Sequence, residues 1–389
     1  MQHNSIIYLD NHASTPCDPR VVEVMLPLLL EDYANPSSLL HEAGRRASAR
    51  VADARHEVAA AIGARDSEVV FTSGATESDN VALFGSVAAA PAKRTKVAVS
   101  AIEHKAVLAA VAVLADRGHE VTYVPVHNDG LIDLAALIDI VDEHTALVSV
   151  QAANNEIGTI QPIPEIAQIC HRVGAVLHCD AAQALGRIPV DVIDWDVDLL
   201  SLSAHKCYGP KGMGALFVRG GPVNAPLEPL FFGGGQEGGL RPGTLNVPGI
   251  VGFGCAASIA DQERSADATR IGAMRDQFEE RLRAGLGEVR INGAVDRRLA
   301  GNSSLSIPGV DAEALIANLP EVALSTGSAC TSGAQDPSHV LTAIGRSREE
   351  AFNTIRVGLG RATMESELGE AAEMIIKAAR RVRELHSAA

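Results

Sequence analysis

A regular alternation of short apolar runs with helical patterns spans the first two thirds of the chain, and it constrains the fold more than any other feature. Helical stretches such as SDNVALFGSVAAA and KAVLAAVAVLADRG separate strand-like runs. The strand-like runs are EVVFTS, KVAVSA, EVTYVPV, ALVSVQ, AVLHCD, DLLSLSA and GALFVR. This alternation predicts an α/β domain with a largely parallel sheet covered on both faces. Because ligands gather beyond the carboxyl ends of strands in such sheets, the residues after each strand are the first candidates for chemistry.

The sequence pattern changes from about Val247 onwards, where longer helical stretches follow a glycine-rich segment, FFGGGQEGGLRPGTLN. A strand-like SSLSI and a final helix near ESELGEAAEMIIKAARRVRELH complete this part. Acidic residues early and basic residues late in that last helix suit the helix dipole. We predict a smaller α+β domain here. A chain of 389 residues is long enough for two such domains.

Composition excludes several classes of function. The formal net charge of -15 argues against a phosphate backbone as the main partner, so we expect no nucleic acid. No apolar run is long enough to span a bilayer, and the first residues do not resemble a signal peptide, so we expect no membrane partner and a cytoplasmic location. The six cysteines stand singly without C-x-x-C spacing, which indicates neither a disulfide framework nor a zinc site.

Lys206 stands at the end of the apolar run DLLSLSAH, so its amine is delivered at a strand terminus. Burial there would disfavour the ammonium form and lower the lysine pKa, which makes the amine a nucleophile able to form a Schiff base with an aldehyde. Ser203 and His205 flank it as hydrogen-bond donors. A surface lysine in an ordinary turn would fit the same string.

Asp180 ends the run AVLHCD, and Gln183 follows three residues later. A buried carboxylate can keep a pyridine nitrogen protonated, which makes the ring an electron sink, and Gln183 could reach a ring hydroxyl. The alternative is that Asp180 only caps the next helix, AAQALG.

In FTSGATESDN the strand gives way to Gly74, Ala75 and Thr76 at the start of a helix, where free N–H groups and the helix dipole favour a phosphate. The pattern Thr76-x-x-Asp79 also fits a capping box on a helix that binds nothing.

Three further polar residues are candidates for contacts with a planar cofactor or its substrate. His104 in AIEHKA follows a strand and could lie over a ring. The amide of Asn155 suits a ring oxygen, and the guanidinium of Arg356 suits bidentate capture of an amino acid carboxylate. A structural histidine and an ion-pair arginine within the small domain are the alternatives.

Cys330 lies in TGSACTSGAQDPS, whose small residues indicate a flexible, exposed loop from which a thiol could visit a buried ligand and swing outward. As a nucleophile it must act as the thiolate. The residues alone do not favour it over Cys207 or Cys179, although alternation along a strand points Cys179 away from the face that Asp180 uses.

Taken together, ordered strings over almost the whole chain resemble the cysteine desulfurases of the class V aminotransferase group, within pyridoxal phosphate (PLP) fold type I. The strings are YLDNHASTPCDPRV, NPSSLLHEAGR, FTSGATESDN, NNEIGTIQPI, HCDAAQALGRIPVD, SLSAHKCYGPKGMGAL, RPGTLNVPGIVGFG, GSACTSGAQDPSHVL and TIRVGLGR. The resemblance implies a large domain with a mostly parallel seven-stranded sheet plus a smaller α+β domain. We place the large PLP-binding domain at residues 15–259, and the small domain, with the Cys330 loop, at residues 1–14 and 260–389.

The resemblance also implies a homodimer and roles for the candidate residues. Lys206 would bind pyridoxal 5'-phosphate, Cys330 would become a persulfide, and His104 would stack on the ring and carry a proton. Asp180 would pair with the pyridine nitrogen, and Gln183 and Asn155 would contact ring oxygens. The phosphate would be held by Ala75, Thr76, Ser203 and His205, joined by Thr244 of the other subunit. Asn155 and Arg356 would orient the substrate.

The implied reaction converts L-cysteine to L-alanine and passes sulfur to an acceptor protein, such as an iron-sulfur scaffold, a tRNA-thiolation protein or a biosynthetic enzyme. The nearest alternatives are a selenocysteine lyase or another class V lyase or transaminase. A sulfur-assembly scaffold without turnover is the alternative from a different class. Two strings, DNHAST and GAQDPS, depart from the family's more usual pattern.

Overall fold

The computed structural model describes residues 6–326 and 336–387, with side chains described as far as residue 385. Cys330 lies outside the described residues. The strands are β1 (Ile7–Tyr8), β2 (Val69–Thr72), β3 (Lys96–Ser100), β4 (Glu120–Val124), β5 (Thr145–Ser149), β6 (Val176–Asp180), β7 (Leu199–Ser203), β8 (Gly214–Val218), β9 (Arg290–Ile291), β10 (Asn302–Ser306), β11 (Val322–Ala323), β12 (Ser325–Thr326) and β13 (Thr354–Gly358). The helices are α1 (Pro19–Leu30), α2 (Glu42–Ala60), α3 (Ala75–Ala89), α4 (Lys105–Asp116), α5 (Leu134–Ile140), α6 (Ile163–Val173), α7 (Val247–Leu286), α8 (Ala312–Ala317), α9 (His339–Ala343), α10 (Arg348–Phe352) and α11 (Glu365–Ser387).

The seven apolar runs form one seven-stranded sheet in the order β2-β8-β7-β6-β5-β3-β4. Only β8 runs antiparallel to its neighbours, so the sheet is mostly parallel, as predicted. Apolar side chains on its two faces belong to separate buried clusters, one with α2, α6 and the start of α7 and another with α3 and α4. Cover on both faces explains why these strands read as continuous apolar runs rather than as an alternating pattern.

A second apolar core forms around the short antiparallel sheet β12-β13-β10-β9. It contains Ile7 and Leu9 from the first residues, the second half of α7, and the apolar face of α11. The helix α7 therefore serves both cores, because its first turns pack with the large sheet and its last turns with the small one. The domain boundaries given above stay a prediction. In the described part of the chain, no helix combines the length and the apolar character needed to cross a membrane.

One charged pair is buried in the second core. Arg298 donates to both carboxylate oxygens of Glu279, at 2.7 and 3.0 Å, and the Ser303 hydroxyl donates to the same carboxylate at 2.7 Å. Both charged side chains are at least 96% buried. Such a pair is costly to break, because removing one member leaves the other charge buried without compensation.

We therefore expect Glu279→Ala to lower the free energy of unfolding by about 3–5 kcal/mol, measured by urea denaturation. The control is Glu42→Ala, which removes an exposed carboxylate 2.7 Å from Arg45 and should change stability little. Equal losses from the two substitutions would contradict the assignment of this pair as a buried structural anchor.

Candidate active site

A cavity of about 560 Å³ opens at the carboxyl ends of the central strands. It brings together most residues that the sequence predicted for the site, although they come from distant parts of the chain. Those on its wall are Ala75, Thr76, His104, Asn155, Asp180, Gln183, Ser203, His205, Lys206 and Arg356. Thr244 lines a neighbouring recess with Phe231 and Phe232 instead. The roles assigned to these residues stay predictions.

Lys206 lies in a single 3₁₀ turn, Ala204–Lys206, directly after β7. Its Nζ donates to the carbonyl oxygens of His12 at 2.5 Å and Ala13 at 2.8 Å. Burial, followed by the nearby charges of Arg187 and Arg356, lowers the pKa of Lys206 to about 7. A large fraction of this amine is therefore neutral at neutral pH, which is the form that attacks a carbonyl carbon.

Asp180 is the last residue of β6 and is almost fully buried. Its Oδ1 accepts from the backbone N–H of Ala182 at 2.9 Å, so it does help to order the turn that follows. Burial raises the pKa of Asp180, while the charges of His104 and Lys206 act against that rise. A protonated ring nitrogen placed against this carboxylate would compensate the burial further.

His104 is the N-cap of α4, and its Nδ1 accepts from the backbone N–H of Ala106 at 3.2 Å. Nε2 therefore carries the proton of the neutral ring, and burial lowers the pKa of His104. The two interpretations of this residue are compatible, because the same imidazole caps a helix and lines the cavity.

The start of α3 forms another part of the cavity wall. Gly74 is the N-cap, with φ +153, and no side chain caps the helix, so the first backbone N–H groups have no side-chain acceptor. The capping-box interpretation is wrong, because Thr76 lies within the helix and Asp79 is buried against the sheet. An uncapped helix start with a hydroxyl beside it suits a phosphate.

Arg356, on β13, reaches the cavity from the small sheet. It donates to Asp10 Oδ1 at 2.8 Å and to the carbonyl oxygen of Asn155 at 3.4 Å. Its Nε is buried and has no hydrogen-bond partner among the described residues. The ion-pair alternative is thus correct in part, yet the guanidinium retains a free donor beside the cavity.

These groups fit pyridoxal phosphate. The neutral amine of Lys206 suits its aldehyde, the buried Asp180 lacks a salt-bridge partner in the described part of the chain, and the uncapped start of α3 suits its phosphate. Each feature is unfavourable or unsatisfied in the protein alone, and each is complementary to one part of that cofactor.

The chain that follows the Cys330 segment is fixed to the cavity wall. Ser338, the N-cap of α9, donates through Oγ to Glu156 Oε2 at 2.5 Å, next to Asn155. His339 Nε2 donates to the carbonyl oxygen of Glu103 at 2.9 Å, next to His104. Burial raises the pKa of Glu156 to about 7.

The sequence analysis missed several residues of the site. His12, Ser14 and Gln151 line the cavity, and Arg187 contacts two of the residues that line it, His12 and Lys206. The unusual string DNHAST was a signal for His12, but its partner Arg187 lies 175 residues further along the chain.

Two cysteines that competed with Cys330 as nucleophile are unsuitable. Cys179 and Cys207 are both buried. Burial raises the pKa of Cys207 to about 12 and that of Cys179 well above its ordinary value. Neither supplies a thiolate at neutral pH.

Known proteins of one family match almost the whole chain. The Aminotransferase class-V family model matches residues 7–370. A cysteine desulfurase IscS of Anaeromyxobacter sp. (strain Fw109-5) is 47% identical over 97% of this chain and 94% of its own length. A solved NifS-like protein superposes with a TM-score of 0.89 at 38% identity, covering 96% of this chain and 98% of its own. A solved SspA in complex with cysteine gives a TM-score of 0.80 at 36% identity, over 90% of this chain and 98% of its own.

The chain belongs to the class-V aminotransferase family of pyridoxal phosphate enzymes. Within that family its relatives place it among the cysteine desulfurases. The fold class, the cofactor and the enzyme class predicted from the sequence are thereby confirmed.

The raised pKa of Glu156 should make the free energy of unfolding decrease as the pH rises. Because the folded state holds this proton more tightly than the unfolded chain, stability falls as pH rises from about 4.5 to about 7. Glu156→Gln should reduce that fall by about 3 kcal/mol, measured by urea denaturation at several pH values. The exposed Glu143→Gln is the control, and an unchanged profile for Glu156→Gln would contradict the assignment.

Proposed function

We propose that this protein transfers sulfur from L-cysteine to Cys330 as a persulfide, releases L-alanine, and then passes the sulfur to an acceptor protein. The observation that supports this best is the convergence of Lys206, Asp180 and Arg356 in one cavity. An amine with a pKa of about 7, a buried carboxylate and a guanidinium with a free donor suit a bound amino acid. SspA, a similar protein of known structure, was solved with cysteine.

Pyridoxal phosphate bound in this cavity would supply an electron sink for the α-carbon of the amino acid. Asp180 would face the pyridine nitrogen, and Gln183, Asn155 and His104 would contact the ring. Ala75, Thr76, Ser203 and His205 would hold the phosphate. This placement uses the uncapped start of α3 and the buried carboxylate at the end of β6.

The protein's own groups then have separate tasks. Arg356 would hold the substrate carboxylate, and Asn155 would help to orient it. The neutral Lys206 amine would take the proton from the α-carbon, because its pKa lies close to neutral pH. His104 Nε2, which bears a proton in the neutral ring, would return one to the three-carbon product.

Cys330 would act as the thiolate and attack the sulfur of the substrate. The sulfur–sulfur bond forms as the carbon–sulfur bond breaks, the electron pair of the broken bond stays with carbon, and protonation yields alanine. The low suitability of Cys179 and Cys207 as thiolates supports this choice. The five cysteines in the described part of the chain are free thiols. Free thiols suit a reducing compartment, and we propose the cytoplasm. The acceptor would be an iron-sulfur scaffold, a tRNA-thiolation protein or a biosynthetic enzyme.

The test is incubation of the PLP-reconstituted protein with L-cysteine, with alanine and sulfide measured together. Cys330→Ala should retain the visible absorbance of bound PLP and the mass adduct on Lys206, yet lose at least about 100-fold in sulfide release, because the persulfide cannot form. Cys255→Ala, which removes a half-buried thiol on α7, is the matched control. Full activity of Cys330→Ala would refute the persulfide role, and activity with selenocysteine alone would favour the lyase.

We also propose a homodimer. An exposed apolar surface on α1 supports it, since Leu26, Leu29 and Leu30 are 52–66% exposed. Patches of this kind mark protein interfaces. Thr244 would then reach the phosphate of the partner subunit, whereas in its own chain it lines a separate recess outside the cavity.

Replacing Leu26 and Leu30 together by Asp should convert the dimer into monomers and weaken PLP retention by about 10-fold or more, since burying two carboxylates at the interface is costly. Sedimentation velocity and the PLP absorbance after dialysis provide the two measurements. Leu385→Asp places the same charge at an exposed leucine of α11 and should leave both unchanged. A wild-type monomer in solution would refute the dimer.

A further inference from the structure

Arg187 is a positively charged side chain that contacts residues lining the cavity and has no acidic partner among the described residues. It forms no salt bridge within residues 6–326 and 336–387. It donates to four neutral acceptors instead: His12 Nδ1 at 2.7 Å, the Asn11 carbonyl oxygen at 2.8 Å, the Lys206 carbonyl oxygen at 3.2 Å, and Gln183 Oε1. A buried charge that is not neutralised costs free energy, so its position requires a reason.

The first consequence concerns the proton on His12. His12 Nδ1 lies 2.7 Å from an Arg187 nitrogen and 3.1 Å from Gln183 Oε1. Because a guanidinium can only donate, the shorter contact makes Nδ1 the acceptor and leaves the ring proton on Nε2, which is buried and has no hydrogen-bond partner among the described residues. Burial and the charge of Arg187 also lower the pKa of His12 well below its ordinary value, which keeps the ring neutral.

The second consequence concerns the amide of Gln183. Its Oε1 accepts from Arg187, so its Nε2 is the donor and reaches the His12 carbonyl oxygen at 2.9 Å. These two contacts identify the oxygen and the nitrogen of the amide. They leave the second N–H of Gln183 available on the cavity wall.

The third consequence concerns the amine of Lys206. Arg187 contacts the backbone of the same residue whose side chain turns into the cavity, so the guanidinium and the amine lie within one buried region. Two cations in such a region repel each other, which disfavours the ammonium form of the lysine.

We propose that Arg187 is an electrostatic positioning residue: its charge adds to burial in favouring the neutral Lys206 amine, and its four hydrogen bonds fix the His12 tautomer and the Gln183 amide. The value of this to the enzyme rests on the proposed role of Lys206 as the cofactor lysine. The effect itself belongs to the protein without cofactor and is measurable there.

Several charged or titratable groups surround the Lys206 amine. The cations are Arg187, Arg356 and Lys211 of the cavity wall, the carboxyls are Asp180 and Asp10, and the imidazoles are His12, His104 and His205. The carboxyls favour the ammonium form and the two arginines oppose it, together with burial. Removing one arginine should therefore raise the pKa of Lys206.

The experiment is competitive labelling of the protein without cofactor by an amine-reactive acetylating reagent between pH 5 and 11, with the Lys206 peptide quantified by mass spectrometry. Arg187→Met should shift the labelling midpoint upward by about one pH unit and reduce labelling at pH 7 by about 5- to 10-fold. Arg187→Lys keeps the charge, so its midpoint should stay close to that of the wild type.

Arg94→Met is the matched control. Arg94 also forms no salt bridge in the described ranges, and it donates to the carbonyl oxygens of Thr145 at 2.5 Å and Val173 at 2.8 Å, at the other end of the sheet. Its loss should lower the melting temperature without moving the Lys206 midpoint. An unchanged midpoint in a folded Arg187→Met protein would reduce Arg187 to a structural residue and overturn the proposal.

Nitrogen-15 spectra of the histidines supply a second measurement, which does not depend on whether Arg187→Met folds. In the wild type, His12 should show a single neutral tautomer with its proton on Nε2, and Arg187→Lys should lose that single state. A proton on Nδ1 or a charged ring at pH 7 in the wild type would overturn the proposal. Failure to convert cysteine would leave both measurements interpretable, so the two proposals can fail separately.

Discussion

The parallel pairing of β6 with β7 is the constraint on which the rest of the site depends. Asp180 is paired in register with Ser201, so the carboxyl end of β6 lies beside the last residues of β7. Lys206 follows β7 after one 3₁₀ turn and therefore emerges at the same edge of the sheet as Asp180. Below this edge, His178 links three strands through hydrogen bonds of 2.9 Å to Ser149 and Ser201. Burial lowers the pKa of His178 to about 3, so this link is a neutral one.

The balance of charge around the cavity follows from that arrangement. Lys206, Arg187 and Arg356 are close together, and Asp180 and Asp10 are the carboxyls that act on the lysine. Burial raises the pKa values of Asp79 and Glu103 well above the ordinary range, which disfavours a negative charge on either acid. The free donor of Arg356 and the uncapped start of α3 make the cavity complementary to a carboxylate and a phosphate. The anionic cofactor and the amino acid substrate thus complete the electrostatics of the protein.

The sequence predicted the sheet and the strand-end residues because both follow from local patterns. Lys206 and Asp180 each end an apolar run, and the carboxyl ends of parallel strands meet at one edge. Arg187 escaped notice because it has no local pattern. The unusual string DNHAST pointed to His12, but the contact between the two residues depends on the folded chain. The capping-box interpretation of Thr76 and Asp79 failed for a related reason, since spacing alone cannot tell which side of a helix is buried against the sheet. The domain boundary is similarly hidden, because α7 continues without a break between the two cores.

Both described flanks of the Cys330 segment are fixed to the same cavity. On one side, Ser325 of β12 is paired in register with Arg356. On the other side, Ser338 is bonded to Glu156 and His339 to the backbone of Glu103. Residues proposed to contact the cofactor or the substrate therefore lie next to each anchor, Arg356 at the first, and Asn155 and His104 at the second. These contacts lie beside the loops that follow β3 and β5. The same few side chains would therefore position the amino acid and hold both described ends of the Cys330 segment.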